Sequence, residues 1–191
     1  MFRSSYAFQI AIPLASHVNP ENTIRALHDH DKFLSLNPLM TGYREVFSGL
    51  DKVDTYFAAP DVSPIKSYEV TEAITIVPCV GSSGKMVIPF LAHIQNVDSG
   101  MKWRVNAPLG VVLKAEFIMQ RELIDSEEPG EPRDGSDWFL IENATLECAG
   151  WYMLFVKQRI EGAQRNICRE LVEMMERPEL PKRAVLEGNG T

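Results

Sequence analysis

Basic residues and cysteine are both scarce in this chain of 191 residues. Lys and Arg number 19 against 26 Asp and Glu, for a formal net charge of −7. Phosphate backbones are held by clustered cations, so nucleic acid is excluded as a partner. The same deficit disfavours docking on anionic lipid. The three cysteines, Cys79, Cys148 and Cys168, are odd in number and far apart, with no Cys-x-x-Cys or Cys/His spacing. That excludes a disulfide framework or structural zinc and reads as reduced, mostly buried thiols.

Long apolar runs are missing too. No segment reaches the roughly 18 apolar residues that span a bilayer. Met1 to Leu14 alternates and is followed by no small-residue cleavage site, so it does not read as a signal peptide. The expectation is a cytosolic protein, in which Asn143-Ala144-Thr145 and Asn189-Gly190-Thr191 are chance matches to the glycosylation pattern. Gly-x-Ser-x-Gly is absent. Gly81-Ser82-Ser83-Gly84-Lys85 lacks P-loop spacing and precedes a strand, so it reads as a hairpin turn. Repeats and low-complexity tracts are absent, and no motif asks for a cofactor.

What is present is an ordinary globular composition, 45% hydrophobic and 24% charged, enough to bury one core without staples. Tyr6, Phe8, Ile10, Ile12 and Leu14 alternate with Ala7, Gln9 and Ala11, which predicts a half-buried strand. Asn19-Pro20-Glu21 starts a short helix, because Asn caps and Pro suits the first turn. A second short helix is expected over Asp31 to Leu36, stopped by Asn37-Pro38. Strands follow at Tyr43 to Leu50, Ser67 to Val77, Lys85 to Val97, Met101 to Asn106, Val111 to Leu123 and Trp138 to Cys148. The acidic stretch Ile124 to Asp137 reads as a solvated loop.

From Gly150 to Arg177 the period becomes helical. Met153, Val156, Ile160, Ala163, Ile167, Leu171 and Met174 share one face, and Pro178 closes the helix. Residues 1–178 are expected to form the domain and 179–191 a loose tail. Strands joined by short turns pair antiparallel, and a long amphipathic helix must lay its apolar face on them. The expected class is therefore α+β: a curved antiparallel sheet around one long C-terminal helix.

This element order resembles the helix-grip fold of the START-like superfamily, which includes lipid-transfer domains, the birch-pollen-allergen family and aromatic polyketide cyclases. A narrower likeness is to a fungal branch of that superfamily. It is carried by Leu27-His28-Asp29-His30-Asp31 with Leu36-Asn37-Pro38-Leu39, by Gly100 to Val111 (GMKWRVNAPLGV), and by Trp151 to Lys157 (WYMLFVK). The resemblance transfers no catalytic residue. It implies a deep cavity between sheet and helix that holds a small apolar molecule. Tyr6, Phe8, Tyr68, Phe90, Trp103, Phe117, Trp138, Tyr152 and Val156 are the expected ligand contacts.

Chemistry is sought where polar residues interrupt apolar faces, because a buried polar group costs free energy unless paired. Glu72 interrupts Tyr68, Val70, Ile74 and Ile76. Glu142 interrupts Trp138, Leu140, Ala144, Leu146 and Cys148. A carboxyl facing an apolar cavity has a raised pKa and serves as a general acid or base near neutral pH. The competing reading is a solvated sheet edge or an Arg partner. Alternation along Met86, Ile88, Phe90, Ala92 and Ile94 places His93 and Gln95 on the outer face. His93 is nonetheless kept as a third catalytic candidate, since a fully buried strand reverses that assignment.

His28-Asp29-His30-Asp31 invites a metal, but neighbouring helical residues diverge and the i, i+4 pair of zinc helices is missing. Asp29 or Asp31 as a helix cap explains the cluster, and His28 or His30 could still touch a ligand at the cavity mouth. Two functions lead, with a third behind them. One is a cofactor-free cyclase, isomerase or dehydratase acting on a polyketide or terpenoid. The other is a carrier of a lipid, sterol or pigment. A third is an interaction domain with a collapsed cavity. The oligomeric state, homodimer included, is not fixed by sequence.

Overall fold

Alternating burial shapes the sheet, and register shapes the site. The computed structural model describes residues 2–47, 55–57, 63–75, 85–121 and 137–177. The expected strand ends at 48–50, 76–77 and 122–123, most of the 124–137 loop, the 81–84 turn, Cys79, Pro178 and the tail lie outside them.

The described residues form seven strands: β1 (Arg3–Pro13), β2 (Met40–Val46), β3 (Lys66–Thr75), β4 (Lys85–Val97), β5 (Gly100–Ala107), β6 (Val111–Gln120) and β7 (Phe139–Ala149). They form one antiparallel sheet in the order β1-β7-β6-β5-β4-β3-β2. The chain crosses from the β1 edge to the β2 edge through helices α1 (Pro20–His28) and α2 (His30–Ser35). Asn19 caps α1 by accepting from the Glu21 N–H, and Asp29 caps α2 by accepting from the Lys32 N–H. The His-Asp cluster is thus a helix junction. Pro89 is tolerated within β4 because pairing with β5 begins only at Leu91.

The long helix α3 (Gly150–Glu176) packs on β1 and β7. Its buried residues are Met153, Gln164, Ile167, Cys168, Leu171 and Val172. Gln164 and Cys168 therefore join the expected apolar stripe, while Val156, Ile160 and Met174 are only half-buried. Helices α1 and α2 fill the space over the middle strands. Phe33 of α2 wedges edge-on against Trp103 and Phe117, with ring centroids at 5.0 and 5.2 Å.

The outer face of the sheet is covered as well. Phe57 is buried, Lys102 Nζ donates to the Tyr56 carbonyl at 3.2 Å, and Gln95 Nε2 donates to the Ser63 carbonyl at 2.9 Å. His93 and Gln95 stand outside as alternation requires, yet they are only 4% and 0% exposed, His93 beside Ser67 and Gln95 beneath the Ser63 carbonyl. Cys148 and Cys168 are free, buried thiols.

Candidate functional site

Glu142 is the polar residue most deeply set among those the sequence singles out. It lies on the inner face of β7, paired with Ile10 on β1 and Phe117 on β6, and is fully buried. Its Oε2 accepts the Cys168 thiol at 3.3 Å, and its Oε1 meets no partner among the described residues. Burial pushes its pKa up to about 8, against a smaller opposing effect of the thiol. The Cys168 thiol is pushed up too, by burial first and then by the carboxyl. At neutral pH the pair is thus protonated and uncharged, and Glu142 is an acid with an O–H to give. Sequence reading missed Cys168, although its place one turn before the Leu171–Val172 pair marks it as core-facing.

Glu72 is half-buried on β3 and accepts a short hydrogen bond from Asn37 Nδ2, which ties the end of α2 to the sheet. Burial raises its pKa and the Asn37 bond opposes the rise. Glu72 and Glu142 stand four strand positions apart, roughly 19 Å along the sheet at the usual strand spacing. His93 lies on the opposite face, where its Nδ1 pairs with Ser67 Oγ at 2.8 Å and burial lowers its pKa. The three do not converge on one reacting centre.

A second buried polar unit joins α2 to the sheet. His30 Nε2–H donates to Asn96 Oδ1, and its Nδ1 accepts the Tyr68 hydroxyl, both at 2.8 Å. The tautomer follows from these partners. His28 Nε2–H donates to the Gly100 carbonyl at 2.8 Å. Burial lowers the His30 pKa, so the unfolded chain takes up a proton at a higher pH than the folded one. Stability from this unit is present above about pH 6.5 and is lost as the pH falls below it. Denaturation between pH 7 and 5 is expected to show a decline that His30→Gln flattens; parallel curves would refute the assignment.

Tyr6 stacks on Phe8, donates to Glu161 of α3 at 2.9 Å, and lies under Lys157 Nζ. Tyr68 is buried and its hydroxyl is taken by His30, Trp103 and Phe117 are held by Phe33, and Trp138 is half-buried beside Leu14, whose N–H its carbonyl receives. Phe90, Tyr152 and Val156 keep partial exposure, as do Val105 and Ile160. A separate cleft of about 530 Å³ between α2 and α3 is lined by Ser35, Leu36, Pro38, Asn166, Arg169, Glu170 and Glu173, none of them an expected ligand contact. Among the described residues no three His, Cys, Asp or Glu gather as a metal site. No helix there is long and apolar enough to cross a membrane.

Comparison with known proteins places this architecture. The di-domain ARO/CYC StfQ from the steffimycin biosynthetic pathway is similar in structure, with a TM-score of 0.55 at 9% identity over 90% of this chain. The chain spans only 51% of that protein. Ara h 8.0201 is similar with a TM-score of 0.50 at 13% identity, over 90% of this chain and 99% of that one. At such identities the likeness speaks to fold, and it bears out the helix-grip architecture. No curated protein matches the sequence. The family model described as "Domain of unknown function (DUF7053)" matches residues 3–177. The chain therefore belongs to the DUF7053 family and has a helix-grip fold.

Proposed function

We propose that the protein binds a small apolar molecule between the inner face of its sheet and the first half of α3. The observation that carries this reading is the half-buried apolar set Phe90, Val105, Ala107, Tyr152, Val156 and Ile160, which borders a fully packed core. Tyr152, Val156 and Ile160 recur every four residues on one side of α3, so they present a continuous apolar wall. The ARO/CYC neighbour from a biosynthetic pathway supports the same reading.

The test is titration with the apolar fluorophore N-phenylnaphthylamine. Val156→Trp fills the wall from its middle and is expected to weaken binding on the order of tenfold or more, with an unchanged circular-dichroism spectrum. Equal affinity in a folded variant would refute the site.

Catalysis is a second reading, and Glu142 is what favours it. In a cofactor-free cyclase, isomerase or dehydratase, its Oε1 proton would pass to a carbonyl or departing hydroxyl oxygen of a polyketide or terpenoid. The separation of Glu72, Glu142 and His93 favours a carrier instead. Product formed by wild-type protein and lost in Glu142→Gln decides for the enzyme; tight binding without product decides for the carrier.

A further inference from the structure

The beginning of α3 is apolar on two sides, and only one of them faces the core. Met153 is buried, whereas Trp151, Leu154 and Phe155 are 59%, 72% and 72% exposed. Their i, i+3, i+4 spacing puts them on one outward stripe. An amphipathic helix that serves only a core has no use for such a stripe.

Two other segments bring exposed apolar side chains to the same end of the molecule. The Phe2 carbonyl accepts the Gly150 N–H at 3.1 Å, and Phe2 is 88% exposed. Arg3 donates to the Gly110 carbonyl at 3.3 Å, so the 108–110 turn adjoins the same place. Leu109 in that turn is 68% exposed and has φ 60, a left-handed backbone that a leucine rarely adopts. The turn holds an apolar side chain out in water at the expense of backbone strain.

The local charge departs from that of the chain. Gly150 to Ile160 contains the exposed Arg159, Lys157 with its Nζ over the Tyr6 ring at the flank of the stripe, and no acid, in a protein of net charge −7. The carboxylates nearby are engaged: Glu147 pairs with Arg3 and Lys114, and Glu161 receives Tyr6 and Arg165. A symmetric contact between two copies would gather two Lys157 and two Arg159 with no acid from Gly150 to Ile160 to offset them. A surface of anionic phospholipid complements both the cations and the apolar stripe.

We infer that this end of the molecule is a membrane-docking face for an anionic phospholipid surface, with Trp151, Leu154, Phe155 and Leu109 entering the interface and Lys157 and Arg159 meeting headgroups. The face is continuous in sequence with Tyr152, Val156 and Ala107 of the proposed apolar site, but its existence does not depend on that site.

The probe is a vesicle of phosphatidylcholine containing phosphatidylserine, read by co-sedimentation and by tryptophan emission. Wild-type protein is expected to sediment with these vesicles, with a blue shift from Trp151. Trp151→Ser/Leu154→Ser/Phe155→Ser alters exposed positions only and is expected to stay folded and lose sedimentation. Lys157→Ser and Arg159→Ser are each expected to weaken binding about fivefold, and high salt to do the same. No sedimentation of the wild type, or sedimentation equal to that of the triple variant, overturns the proposal. So does a wild-type dimer that the triple variant converts to monomer without any vesicle binding.

Discussion

Glu142→Gln is expected to make the protein more stable at neutral and alkaline pH and no more stable near pH 4.5. The folded chain holds the Glu142 proton up to about pH 8, because burial disfavours the carboxylate. The unfolded chain gives that proton up near the ordinary glutamate value. Folding therefore takes up a proton across this window, and stability falls as pH rises through it. That ordinary value is 4.5, so at pH 7 the proton held by the folded chain costs on the order of 3 kcal/mol of stability relative to acid pH. Gln removes that penalty, with some of the gain offset by amide hydrogens that need acceptors beside Cys168. Urea denaturation of both proteins at pH 4.5 and pH 8 measures the effect. A Gln variant less stable at pH 8 would mean that the carboxyl is ionised and satisfied.

Gly100→Ala is expected to abolish or nearly abolish folding. Gly100 opens β5 opposite Ile118 with φ +156, and an added Cβ would lie 1.9 Å from the Phe117 carbonyl oxygen and 3.2 Å from the Ile118 Cα. These are backbone atoms of β6, so no side chain can swing aside. The same shift would pull the Gly100 carbonyl off His28 and loosen α1 from the sheet. A loss above about 4 kcal/mol is expected. Gly162→Ala is the control: nothing lies within 4 Å of its Cβ position on α3, and a gain of up to about 1 kcal/mol is expected. A folded Gly100→Ala protein with unchanged melting would contradict the β5–β6 approach described above.

Local patterns carry the parts of this fold that depend on neighbours in sequence. Tyr6 to Leu14 alternates and forms β1, Asn19 and Asp29 cap as their residue types suggest, and the change of period at Gly150 marks the start of α3. Glu142 was legible because it breaks an apolar face. Its thiol partner was not, since Cys168 is distant in sequence and sits beside the stripe that the period picks out. Glu72 breaks its face in the same way but is only half-buried and is held by Asn37, a tether that register alone does not foretell. His93 shows the limit most plainly. Alternation sets it on the outer face, and it does not foretell that this face is buried, with Ser67 beside His93 and with Tyr56 and Ser63 meeting Lys102 and Gln95 nearby. His30 likewise finds Tyr68 and Asn96 far along the chain.

Native mass spectrometry of freshly purified protein, before and after denaturation, tests the apolar site most directly. The account predicts a bound apolar mass that denaturation releases and that Val156→Trp protein lacks. Protein that is consistently empty, and that also leaves N-phenylnaphthylamine free in solution, would contradict it.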